Sequence, residues 1–315
     1  MSLFHELPLV VFTLAVQLAV GSCLALLVVR RMLWAGGEAA AADGMAGGAD
    51  RYRDGAWAAW SHRPLLLVGV ATAVGLAASL LHLGAPLNAV WALTNLGSSW
   101  LSREILAGLV FFGLWAVTFQ LNRRPAAATR ARRVLAPALP PALALAGLLL
   151  VWSVAQVYML PARPVWNSWL TPASFLLTTL LLGTVAMAAY LEARPLPDPV
   201  GGESAAPGGA RPGLVLLAVG LAAIVAQAAA TLYHPVTREL AASATGSALT
   251  AGRLALLLVA GLLIMGLLVR PALDPGSAAA ARGRGRWIVA MLLLLLASEA
   301  VGRMLFYAAG AVDPF

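Results

Sequence analysis

The sequence predicts an all-α integral membrane protein, a bundle of eight transmembrane helices, and three observations predict it. Hydrophobic residues make up 61% of the 315 residues and charged ones only 11%. The apolar residues gather into eight runs, each close to the roughly 20 residues that a bilayer-crossing helix needs. The arginines gather in every second connection between those runs.

The first run, 7–30, follows His5 and Glu6. It has no basic segment before it and no A-x-A cleavage site, so it is expected to be a retained helix rather than a removed signal. The next stretch, about 35–63, is Gly/Ala-rich with few core-forming residues and is expected to be a flexible loop. Pro64 opens the second run, 64–84, and Gly84 with Pro86 closes it. The third run is 101–121. The fourth, 134–159, is closed by Pro161 and Pro164. Pro172 marks the start of the fifth, 171–191, and Pro212 with Gly213 that of the sixth, 212–231. The seventh and eighth are 251–270 and 287–309. No internal repeat stands out, and a single membrane domain, 1–315, is expected.

Direction follows from charge. All 21 basic residues are arginine. Sixteen lie in the connections after runs one, three, five and seven; the other five are Arg103, Arg163, Arg238, Arg253 and Arg303. The positive-inside rule puts the rich connections in the cytoplasm. Both termini then lie outside, in the periplasm of a Gram-negative host, and the protein sits in the bacterial inner membrane. The net charge of +8 is explained by anionic lipid rather than nucleic acid.

Charges inside apolar runs are functional suspects. His82 lies at the outer end of the second run and Glu104 at the outer start of the third. Antiparallel neighbours joined on the outside carry both at similar depth. Quinol oxidation releases two protons with its two electrons; an imidazole and a partly buried carboxyl group suit their capture. The same residues also fit plain helix-end roles, His82 toward the last carbonyls and Glu104 at a positive N-terminus. Glu299 and Arg303 share one face of the eighth run, with Tyr307 four further on. They read as a helix-packing pair or as a pocket wall. Arg103 is placed to neutralise Glu104 or to meet a partner. Trp166 and Trp169, after Tyr158, fit an interfacial belt or contact with a quinone ring. His234 has a weaker claim, and His62 sits on the cytoplasmic side. Cys23 is the lone cysteine and closes no disulfide. His82 is the only histidine expected clearly inside a helix, so haem is not expected, nor is an iron–sulfur cluster or a metal site. An electron acceptor would then sit on another polypeptide.

Four segments resemble the membrane anchor (C) subunit family of bacterial dimethyl sulfoxide reductases. They are His5 to Thr13; Ser79 to Gly84 with Pro86, running through Asn95, Gly97 and Ser102-Arg103-Glu104-Ile105 to Phe111-Phe112; Val157-Tyr158 with Trp166 to Pro172; and Glu299 to Arg303 with Phe306-Tyr307. The second is fairly specific, and together they cover essentially the whole sequence. The resemblance implies eight helices with both termini periplasmic, in a three-subunit enzyme of anaerobic respiration. It implies menaquinol oxidation in this chain, at the positions of His82 and Glu104. It also implies an iron–sulfur subunit and a molybdopterin catalytic subunit on the periplasmic face. Terminal reduction would belong to that catalytic subunit, not to this chain. The stretch from Gly36 to Trp60 is longer than the family pattern, and Arg103 stands where a neutral polar residue is frequent. A secondary transporter and a passive anchor without a quinol site are the alternatives.

Overall fold

The structure, a computed structural model, describes the backbone of residues 6–41, 46–82, 89–123, 130–194, 196, 212–273 and 278–311. Side chains are described over 6–32, 55–81, 91–123, 135, 137–194, 196, 212–269 and 285–310. Every regular element among the described residues is helical: α1 (Leu7–Ala41), α2 (Ala46–His82), α3 (Ala89–Ala92), α4 (Trp100–Arg123), α5 (Arg130–Val157), α6 (Leu170–Ala193), α7 (Pro212–Tyr233), α8 (Pro235–Leu240), α9 (Ala244–Leu273) and α10 (Ala278–Ala311). A 3₁₀ turn, Leu93–Asn95, joins α3 to α4. All but α3 and α8 contain a span long and apolar enough to cross a membrane, eight in all. The expected boundary at Gly84 and Pro86 lies outside the described residues.

Two helices form the middle. α1 is buried on nearly every side, from Val10 to Val29, which is the pattern of a bundle-core helix. It packs on α2, α5 and α6. Where α1 crosses α6, Gly21 meets Gly183 backbone to backbone, and a Cβ on either would strike the other helix. Small residues of this kind let membrane helices approach closely. Around this crossing, α1, α2, α4 and α5 form one group and α6, α7, α9 and α10 the other. The peripheral helices bury one stripe each. In α9 it is Thr250, Leu257, Ala260, Ile264 and Leu267, at helical spacing, while Leu258, Leu262 and Met265 face outward.

Two expectations are corrected. Much of the stretch expected as a flexible loop is helix, at 35–41 and again from 46 onward. Its alanines carry the highest helix propensity, and Ala58, Trp60 and Ser61 are buried. Pro64 therefore lies inside α2 rather than at its start, and His62 is a second histidine within a helix, stacked on Phe119 at 4.7 Å. A proline inside a helix leaves the carbonyl four residues back without its amide donor. That carbonyl is Trp60 O, and the Tyr190 hydroxyl of α6 donates to it at 3.0 Å. The Trp60 indole in turn donates to Arg194 O at 2.9 Å.

Candidate functional site

α1 begins, α2 ends and α4 begins at one face of the bundle. Among the described residues that face carries Arg103, Arg163, Arg238, Arg253 and Arg303, and it is the arginine-poor face. Ser99 Oγ accepts the Ser102 amide at 3.3 Å as α4 opens. Arg103 then turns away from the bundle. Its guanidinium donates to Leu96 O at 2.9 Å and Gly97 O at 2.7 Å and covers the Trp100 ring at 4.3 Å. It stabilises the preceding turn and does not neutralise Glu104.

Glu104 points the other way. It shares the inward stripe of α4 with Gly108, Phe111 and Thr118 and is 7% exposed. Among the described residues it has no hydrogen-bond or ion-pair partner. A buried carboxyl group without partners is costly in either direction of charge, so its position needs a reason beyond packing. The His82 side chain lies outside the described residues. Its backbone closes α2, which packs on α4. A Cβ on Gly108 would meet Leu76 at 3.3 Å. Six residues beyond Leu76 and four before Gly108, at 1.5 Å each, put His82 and Glu104 within roughly 3 Å in depth.

Tyr158, just past α5, anchors an aromatic cluster. Its hydroxyl donates to Tyr307 Oη at 3.4 Å, and its ring meets Trp166 edge-on at 5.5 Å and Phe306 at 5.3 Å. Trp166 stacks on Phe306 at 5.4 Å and donates to Phe306 O at 2.8 Å. Trp169, in contrast, is 73% exposed. The two tryptophans that read alike in sequence thus have different work: Trp166 packs inward and Trp169 faces out.

Glu299 and Arg303 do not form the pair their spacing suggests. Glu299, 1% exposed, is bound from three other helices. Thr178 Oγ1 of α6 donates to Oε2 at 2.6 Å and Gln227 Nε2 of α7 at 2.9 Å. Arg253 of α9 forms the salt bridge at 3.4 Å. Arg303 instead lies over the Phe175 ring, 3.4 Å from its centroid, and donates to Gln17 Oε1 of α1 at 3.2 Å. The choice of partner is set by which helix stands opposite, and spacing along α10 does not contain it. Arg253, Gln17, Gln227 and Thr178 escaped the sequence reading. Their signal was present, since polar side chains deep in apolar runs must find partners, but Arg253 was weighed only for orientation and the uncharged three were not weighed at all.

This network yields a prediction. Glu299→Gln strands Arg253 and lowers stability by about 3 kcal/mol, the cost of unpairing one buried ion. The double variant Glu299→Gln/Arg253→Gln recovers most of it. Melting curves of the detergent-solubilised protein distinguish this from simple loss of packing, which the second change would worsen.

His234, in the connection between α7 and α8, caps α8. Its Nδ1 accepts the Val236 amide at 3.2 Å. Its Nε2 lies 3.3 Å from Thr171 Oγ1, whose own hydrogen goes to Trp166 O at 2.7 Å. The ring therefore donates from Nε2 and is neutral. Burial, reinforced by the Arg253 and Arg303 cations, pushes its pKa down to about 4. Between the ordinary histidine value and that one, the unfolded protein binds the extra proton. Stability is fully present above about pH 6.5 and falls by about 2 kcal/mol by pH 5 and about 3 kcal/mol by pH 4. A His234→Gln variant should lose this slope in melting temperature against pH.

Among the described residues no group of three or more His, Cys, Asp or Glu is placed to hold a metal ion.

Residues 1–309 match the family model described as DMSO reductase anchor subunit (DmsC). The sequence is 36% identical over 195 residues to the anaerobic dimethyl sulfoxide reductase protein YnfH of Escherichia coli, an alignment that covers 60% of this protein and 59% of that one. It is 30% identical over 191 residues to the C subunit of the anaerobic dimethyl sulfoxide reductase of Haemophilus influenzae, 59% of each. The alignments thus span less than two thirds of these relatives' lengths.

Proposed function

The chain belongs to the DMSO reductase anchor subunit family, and from that premise we propose that it anchors a dimethyl sulfoxide reductase-type complex and oxidises quinol within the membrane. It is a multi-pass membrane protein of eight apolar helices. The observation that carries the quinol reading is Glu104: a buried carboxyl group on the inward stripe of α4, close to the helix start, with no hydrogen-bond or ion-pair partner among the described residues.

Oxidation of the quinol, menaquinol by the family's pattern, releases two electrons and two protons to give the quinone. Glu104 takes one proton and His82, at matching depth, the other. The Tyr158 and Tyr307 hydroxyls orient a ring oxygen from the bundle side. The electrons pass to an iron–sulfur partner docked on the arginine-poor face, which this reading places in the periplasm, and on to a molybdenum-containing catalytic subunit. Both proton acceptors lie on that same face. The enzyme therefore moves little net charge across the inner membrane.

The test is purification of the tagged protein from membranes. Iron–sulfur and molybdenum subunits should co-elute, and the complex should reduce dimethyl sulfoxide with a quinol. A complex that works with reduced viologen but never with quinol would leave a passive anchor.

A further inference from the structure

A cavity lies at the opposite, arginine-rich end of the bundle, away from Glu104. It measures about 70 Å³ and lies between α1, α2, α4 and α5. These four helices pack as a ring. Near its middle, the ring is filled by Phe111 and Leu150, both fully buried. Toward the arginine-rich end the filling stops. Leu26, Leu27 and Leu143 form apolar walls, and Arg30, Ser61 and Asn122 form the polar part. Asn122 Nδ2 donates to Ser61 Oγ at 2.9 Å, which holds the polar wall of α2 and α4 together. No carboxylate lines the cavity, and Trp57 stands beside it.

We propose that this cavity is a binding site for an anionic phospholipid, with an acyl chain between the leucines and the phosphate at Arg30. The leucine-walled part of the recess favours an apolar filler, and in a bilayer the available apolar filler is a lipid tail. The charge around the mouth selects the head. Arg31 of α1, Arg63 of α2 and Arg123 at the end of α4 are exposed on the same helices, and basic pockets between helices on the cytoplasmic side recruit anionic headgroups. A guanidinium suits phosphate in particular, because it donates two parallel hydrogen bonds. The site is independent of the quinol reading and stands if that reading fails.

The experiment is native mass spectrometry of the intact detergent-extracted complex after incubation with mixed micelles of phosphatidylglycerol or of phosphatidylcholine. One phosphatidylglycerol per anchor subunit should be retained, at least about five-fold over phosphatidylcholine. That factor corresponds to the ~1 kcal/mol that one juxtamembrane arginine contributes. Arg30→Gln should weaken retention about five-fold and Arg30→Lys much less. Leu27→Trp fills the recess and should abolish retention, with Leu143→Phe as the substitute if the first variant fails to fold by its melting curve. Equal retention of both lipids would overturn the proposal. So would retention unchanged by Arg30→Gln or by the filling variant, or a quinone bound in place of the lipid.

Discussion

Replacing Glu104 with glutamine lowers quinol-dependent reduction of dimethyl sulfoxide by about 10²- to 10⁴-fold, the range that a positioned proton acceptor contributes. The amide has nearly the shape of the acid and keeps the inward stripe of α4 intact. Glu104 has no bonded partner among the described residues that the change would orphan, so stability should move by less than about 1 kcal/mol. Reduction driven by viologen, which enters electrons downstream, should stay near the parent level. The two assays on one membrane preparation separate chemistry from assembly. Equal loss in both would mean that Glu104 holds the complex together. No loss in either would remove it from the reaction. Glu104→Asp retracts the carboxyl by one methylene and should fall between, because proton transfer is steep in distance.

Gly183→Val abolishes folded protein. A side chain at Gly183 would occupy the space of the Gly21 backbone, and backbone cannot rotate out of the way. α1 and α6 would have to separate along their whole contact. Inside a membrane that contact is held by van der Waals packing, since lipid is as apolar as the helix it replaces. Overpacking typically costs about 1–3 kcal/mol; here the crossing joins both four-helix groups, and the effect should exceed about 3 kcal/mol. Gly266→Val is the matched control. Nothing lies within 4 Å of a Cβ there, and the variant should accumulate and assemble normally. Membrane-inserted yield and retention of partner subunits measure both. Normal assembly of the Gly183 variant would show that the two groups are joined elsewhere.

The spans were legible because lipid demands long apolar runs, and that demand is local. The expected cores of all eight fall within observed helices with shifts of a few residues in most ends. Burial of Glu104 was legible too, from its depth beside a helix end. What was hidden depends on pairing between distant segments. Sequence spacing made Arg303 the natural mate of Glu299; the fold sets Arg253 of α9 against it instead. Trp166 and Trp169 are three residues apart with the same chemistry, and only the position of Phe306 tells them apart. The helical start of α2 was hidden because Pro64 reads as a helix boundary unless another group can replace the lost donor, and that group lies on a distant helix.

That replacement has a wider consequence. The Tyr190 phenol, 130 positions away in sequence, works as a latch on a potential hinge. Strip its oxygen, as in Tyr190→Phe, and α2 gains a swivel at Pro64. The far segment of that rod ends at His82, so the direction in which the α2 backbone reaches one end of the bundle is steadied by a phenol near the other.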